Sequence, residues 1–150
     1  MLQQFYPQSK HNFMYELNKD FNFAAAHFVP SPKAGKCADV HGHTYFCNVT
    51  VVGNELDDTG FLVNFQQIKK LVHDRYDHTL MNDHPEFTDA TGESYRYPTT
   101  EVVARTVWEV IESYLATTEN RPTCTQVVLR ETPTSYVVFR PTADHTVEVG

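Results

Sequence analysis

Three histidines, one cysteine, an Asp-His dipeptide and one glutamate are the residues of this 150-residue chain whose types and spacing could do chemistry. His41 and His43 flank Gly42. On an extended segment, where side chains alternate between faces, the two imidazoles share one face with their Cα atoms about 7 Å apart. An antiparallel partner strand carrying His27 would bring a third imidazole opposite them. Three neutral nitrogen ligands, with a fourth position left for water or substrate, make a catalytic zinc arrangement. The same set also suits iron or copper.

Cys37 stands just before His41 on a segment rich in Pro and Gly. A cation beside it would make a thiolate available as base or nucleophile. The alternatives are a fourth metal ligand that closes a structural site, or a spectator. Cys47 and Cys124 fall inside predicted strands and are expected to pack. Asp77-His78 pairs a carboxylate with an imidazole, which can fix the ring's tautomer for proton transfer. Glu131 continues the alternation of Val127 and Leu129, so it projects on the face otherwise used for apolar packing and needs a partner there. Arg105 or Arg130 could supply it, as could a ligand with two parallel N–H donors, such as the aminopyrimidinone edge of a pterin or guanine. By spacing alone the salt bridge is the simpler expectation. The stretch from Gly35 to His43 begins like the metal motif of cupins. That motif needs a Glu shortly after its second His, where this chain has Phe46, Cys47 and Asn48.

The elements that must position these groups follow from periodicity. From Phe13 to Val29 the pattern alternates, with Phe21, Phe23, Ala25, His27 and Val29 on one parity, which predicts a strand. Pro30 to Asp39 reads as a loop. A second strand from His41 to Val52 puts His41, His43, Tyr45, Cys47, Val49 and Val51 on one face. Phe65, Ile68, Leu71, Val72 and Tyr76 recur at helical spacing behind Asn64 as cap. Asp77 to Pro98 shows no sustained period and reads as a long irregular connection, a feature often functional in small domains. Thr99 or Thr100 caps a second helix with buried face Val103, Thr106, Val107, Val110, Ile111 and Tyr114, ended by Asn120-Arg121-Pro122. A hairpin follows, Thr125–Glu131 and Ser135–Arg140. The expected fold is α+β, a four-stranded antiparallel sheet with two helices on one face in the order ββααββ, in one domain over residues 1–150 with its core at about 13–140. Such a sheet has two open edges, which pairing in a symmetric oligomer would close.

Composition narrows the function further. Twelve Lys and Arg against nineteen Asp and Glu give a net charge of −7, which opposes the phosphate neutralisation behind nucleic-acid binding. No apolar run approaches the ~18 residues of a membrane span, and the start lacks the basic, apolar and small-residue pattern of a secretory signal. Three widely spaced cysteines fit a reducing compartment. A cytoplasmic location is expected. A domain this long buries about 70% of its unfolded surface without help from a metal, so a metal site here would serve function.

Taken together, Ala26-His27, Cys37 to His41-Gly42-His43, Tyr76-Asp77-His78, Pro98-Thr99-Thr100-Glu101 and Arg130-Glu131-Thr132 resemble the 6-pyruvoyl-tetrahydropterin synthase family from about Tyr15 to Arg140. The short interval between Cys37 and His41 is similar to that of the family's bacterial branch, which makes 6-carboxy-5,6,7,8-tetrahydropterin on the way to preQ0 and queuosine in tRNA modification. The resemblance implies a T-fold, in which sheets of several copies join edge to edge into a barrel with active sites at subunit boundaries. It implies that His27, His41 and His43 bind zinc, that Cys37 abstracts a proton, and that Asp77 with His78 form a second proton-transfer pair. Glu131 would anchor the pterin ring, with hydrogen bonds from Thr99 and Thr100 and a lesser part for Glu101. The implied reaction takes 7,8-dihydroneopterin triphosphate to 6-carboxytetrahydropterin, acetaldehyde and triphosphate. The alternatives are a pyruvoyl product from the same substrate, or a non-catalytic metal- or pterin-binding module closed by Cys37. Met81 stands where the family more often has Leu, a volume-conserving change. Lys33 and Lys36 are the nearest cations for a triphosphate. The first twelve and last ten residues lie outside the resemblance.

Overall fold

The structure, a computed structural model, describes residues 6–8, 10–89, 91–92 and 96–141. Strand β1 (Tyr15–His27) and strand β2 (His41–Gly53) pair antiparallel along their whole length, from Tyr15 opposite Gly53 to His27 opposite His41. Between them the segment read as a loop winds into a 3-10 turn (Pro32–Ala38), opened by the Ser31 hydroxyl, which accepts the Lys33 N–H at 3.3 Å. Helix α1 (Phe65–Tyr76) starts at Asn64, whose side chain accepts the Gln66 N–H at 2.8 Å. In helix α2 (Thr100–Leu115) Thr99 is the cap, accepting the Val102 N–H at 3.2 Å.

The sheet has five strands rather than the expected four, in the order β3-β1-β2-β4-β5. The addition is β3 (Thr79–Leu80), which runs parallel to β1 beside Ala25 and Ala26. Two residues carry no readable period. What makes them a strand is His78, whose φ of 60° turns the chain out of α1 and whose N–H meets the Ala24 carbonyl at 2.6 Å. The final hairpin, β4 (Thr123–Thr132) and β5 (Ser135–Phe139), adds on the other side of β2. Helix α2 ends at Leu115, ahead of the expected stop, because the last carbonyls are taken by the turn amides of Ala116, Thr117 and Thr118.

One parity of the strands faces the helices. Phe23, Tyr45, Val49, Val51, Val127 and Leu129 meet Ile68, Val72 and Tyr76 of α1 and Val103, Val107, Ile111 and Leu115 of α2 in one cluster, all of them solvent-free. Cys47 and Cys124 belong to it, and burial pushes the Cys124 thiol up to about 12. They are packing residues, as expected. Among the described residues, no helix is long and apolar enough to cross a membrane.

The connection after α1 is less free than its polarity implied. Asn82 is buried and exchanges two hydrogen bonds with the backbone of Phe28, both at 3.0 Å. Glu86 accepts from the Tyr76 hydroxyl at 2.6 Å and from Arg75 Nε at 3.0 Å. Phe87 is fully buried in the core cluster. Asn82 thus fastens the connection to the strand end that carries His27, Glu86 to the last turn of α1, and Phe87 to the core. Phe87→Ala should therefore cost about 3–5 kcal/mol and show as a lower denaturation midpoint; an unchanged midpoint would mean the connection packs only loosely.

Candidate active site

The β1–β2 register decides the site. With His27 opposite His41, the ring centroids of His27 lie 4.5 Å from His41 and 5.2 Å from His43, and those of His41 and His43 are 4.9 Å apart. Two of the rings are aimed by backbone carbonyls. His27 Nδ1 is 2.7 Å from the Pro98 carbonyl, just ahead of α2, and His41 Nδ1 is 2.7 Å from that of Asp39. A carbonyl can only accept, so each Nδ1 carries the proton and each Nε2 presents a lone pair inward.

Glu131 completes the group from β4. Its Oε1 lies 2.8 Å from His43 Nε2 and 3.3 Å from His27 Nε2, yet neither contact has hydrogen-bond geometry, and both nitrogens are buried without a hydrogen-bond partner. Leaving such atoms unsatisfied costs about 1–3 kcal/mol each, which a cation would relieve. Donor atoms of His27, His41, His43 and Glu131 all lie within 4.8 Å of one another. Burial pushes the His43 imidazole below its ordinary range, with His27 and His41 adding to the effect and Glu131 opposing it; the neutral, ligating form is favoured. Tyr45 closes the floor, edge-on to His27 and His43. Three imidazoles and a carboxylate fit a divalent metal such as zinc.

The salt bridge expected for Glu131 does not form. Arg130 is its neighbour on the strand and therefore points to the opposite face, where it donates to the Pro133 carbonyl at 3.1 Å and lies over the Tyr136 ring. Arg105 stays on the exposed side of α2 near Glu109. Glu131 Oε2 instead accepts the Thr100 hydroxyl at 2.9 Å. The alternation with Val127 and Leu129 was the sequence signal for its placement, but its partners come from β1, β2 and α2, which spacing does not reveal.

Beside the cluster opens a cleft of about 350 Å³, lined among others by His27, Cys37, Tyr97, Thr100 and Glu131. That volume lies within the range of small-molecule sites. Cys37 sits on the 3-10 turn, which is held over the end of β1 by the Val29 N–H on the Cys37 carbonyl at 2.7 Å. Cys37 lines the cleft without joining the cluster, so among the described residues it is Glu131 and not Cys37 that lies within reach of the three histidines. Thr99, Glu101 and Lys33 also line the cleft, whereas Lys36 does not. The Thr99 hydroxyl is engaged in capping α2. Tyr97, an exposed aromatic on this wall, went unmarked by any sequence pattern.

Asp77 and His78 sit elsewhere. His78 Nδ1 is 2.6 Å from Asp77 Oδ2, and Asp77 Oδ1 accepts the Ala24 N–H at 2.8 Å. That amide first, then His78 and His73, hold the Asp77 carboxyl below the usual carboxylate range. The His78 side chain is 84% exposed and lines a second depression along β3, on which His43 also borders. Neither residue lines the cleft of Cys37.

Comparison with known proteins agrees with this geometry. A sequence model of the family described as 6-pyruvoyl tetrahydropterin synthase matches residues 16–142. The chain is 59% identical over 141 residues to the 6-carboxy-5,6,7,8-tetrahydropterin synthase of Bacillus subtilis, covering 94% of this chain and 95% of that protein. It is 30% identical over 111 residues to the 6-pyruvoyl tetrahydrobiopterin synthase of Dictyostelium discoideum, covering 71% and 74%. Among solved structures it is similar to the 6-pyruvoyl tetrahydropterin synthase of Caenorhabditis elegans, with a TM-score of 0.64, 26% identity, and coverage of 85% of this chain and 96% of that one.

Metal content separates ligand from neighbour. His41→Ala should lose bound zinc when assayed by elemental analysis, whereas Cys37→Ala should keep it; zinc lost from the cysteine variant would return Cys37 to the ligand set. Because the imidazoles bind a metal only when neutral, bound zinc should be retained at pH 7 and released on acidification toward about pH 5, which a chelator-dye titration reads directly.

Proposed function

Since the chain belongs to the 6-pyruvoyl tetrahydropterin synthase family, we propose that it is a zinc-dependent carbon–carbon lyase converting 7,8-dihydroneopterin triphosphate to 6-carboxy-5,6,7,8-tetrahydropterin, with release of acetaldehyde and triphosphate. The observation that carries the proposal is the convergence, on one cleft, of a metal-competent histidine, a thiol outside the ligand set and an acceptor carboxylate. The identity to the Bacillus subtilis protein supports the carboxy product over the pyruvoyl one. With that product the enzyme takes a place in preQ0 and queuosine biosynthesis, in the cytoplasm.

Zinc, when bound by His27, His41 and His43, supplies a Lewis acid that polarises oxygens of the substrate side chain and stabilises developing negative charge. The remaining work belongs to the chain. Glu131, with Oε2 held by Thr100, accepts the two parallel N–H groups at the aminopyrimidinone edge of the ring and so fixes which way the side chain points. Cys37, across the same cleft, takes a proton from the side-chain carbon. Asp77 accepts from His78 Nδ1 and leaves Nε2 free to exchange a proton at a second position on the substrate. Tyr97 gives the flat ring an aromatic wall, Thr99 and Glu101 shape the mouth at the start of α2, and Lys33 brings positive charge toward the triphosphate.

Copies of the chain complete this machinery. The outer edge of β1 from Tyr15 to Ala24 has no strand partner among the described residues, since β3 covers Ala25 and Ala26. An unpaired edge of that length favours joining to another sheet, and a homo-oligomeric barrel would seat His78 of one copy beside the cleft of the next. The separation of Cys37 and His78 within one chain supports this arrangement.

Zinc-loaded protein, given 7,8-dihydroneopterin triphosphate without oxygen, should yield 6-carboxytetrahydropterin and stoichiometric acetaldehyde by mass-resolved assay. A 6-pyruvoyl product would move it to the other branch, and no consumption would overturn the lyase. Cys37→Ala should drop turnover by about 10²–10⁴-fold while zinc stays bound. Glu131→Gln should raise KM more than it lowers kcat, with zinc retained; zinc lost in step would assign Glu131 to the metal instead.

A further inference from the structure

We propose that His73 is a positioning residue that holds the Asp77 carboxylate against His78, an inference that rests on the proton-transfer role proposed above for that pair. His73 lies in the last turn of α1, one turn before Asp77. Its Nδ1 is 2.7 Å from the Asn22 carbonyl of β1, and its Nε2 is 3.5 Å from Asp77 Oδ2. That oxygen is also the one 2.6 Å from His78 Nδ1, while Oδ1 takes the Ala24 N–H. Three elements thus meet the carboxylate: β1 offers a backbone amide, α1 offers His73, and the turn into β3 offers His78.

The two contacts of His73 do different things. The Asn22 carbonyl requires a proton on Nδ1. With that proton in place, Nε2 turns a lone pair toward Asp77 unless it carries a second one, so the contact is attractive in the imidazolium form. A cation there also meets the carbonyl end of α1, where positive charge is favoured. In that form His73 draws Oδ2 to the side on which His78 Nδ1 meets it, and Asp77, accepting there, keeps the His78 proton on Nδ1. The Asn22 contact alone would only tie the helix to the strand.

Two substitutions separate these roles, because Asn places an amide near the position of Nδ1 and Gln near that of Nε2. In the zinc-loaded full-length protein, His73→Gln should hold kcat near wild type, whereas His73→Asn should lower kcat about five-fold at unchanged KM, the size expected for losing one partly exposed ion pair. The second readout needs no turnover. With aspartate labelled at Cγ, NMR should show the Asp77 carboxyl titrating higher in His73→Asn than in wild type, its depression having lost one cause. That shift decides the proposal even if the substrate assignment fails. The proposal is overturned if the Asp77 carboxyl titrates in His73→Asn as it does in wild type, since His73 would then serve only to fasten α1 to β1.

Discussion

An imidazole nitrogen buried without a partner is costly, and this fold carries two of them side by side. The cost is imposed by the β1–β2 ladder, which sets His27 opposite His41 and leaves no freedom to slip, because a one-residue shift would turn every core side chain of the strand outward. The same register that buries Phe23 and Tyr45 therefore forces three imidazoles together. Core packing and the metal-competent cluster are one constraint seen from two ends of the sheet.

Other parts of the structure support that end of the sheet. The Pro98 carbonyl at the entrance to α2 orients His27, and Thr100, one residue inside the helix, holds Glu131. Asn82 clamps the strand end just beyond His27. The start of α2 and the connection before it thus act as a brace behind the histidine cluster, which explains a buried Phe87 in a segment otherwise polar. Orientation by surrounding contacts is what a catalytic metal site requires, since ligand direction matters as much as ligand identity.

The residues proposed to move protons lie in two places. Cys37 overlooks the cleft from a 3-10 turn, while Asp77 and His78 sit where the chain leaves α1 and grazes the edge of β1. His78 is exposed with a positive φ, a conformation kept by the hydrogen bond its N–H donates to the Ala24 carbonyl and by the Asp77 carboxylate.

Periodicity in the sequence was enough for the two long strands, the Asn64 cap, the start of α2 to within one residue and the shared face of His41 and His43, because alternation and capping are local properties. The position of Cys37 outside the histidine cluster, and Glu131 as the group joining the histidines, depended on contacts across four elements. The short β3 strand depended on a backbone turn at His78 that leaves no compositional trace. Strand parity determined the side on which Glu131 projects; only the tertiary structure decided whom it meets there, since a side chain's direction follows from its own strand and its partners from the packing of the others.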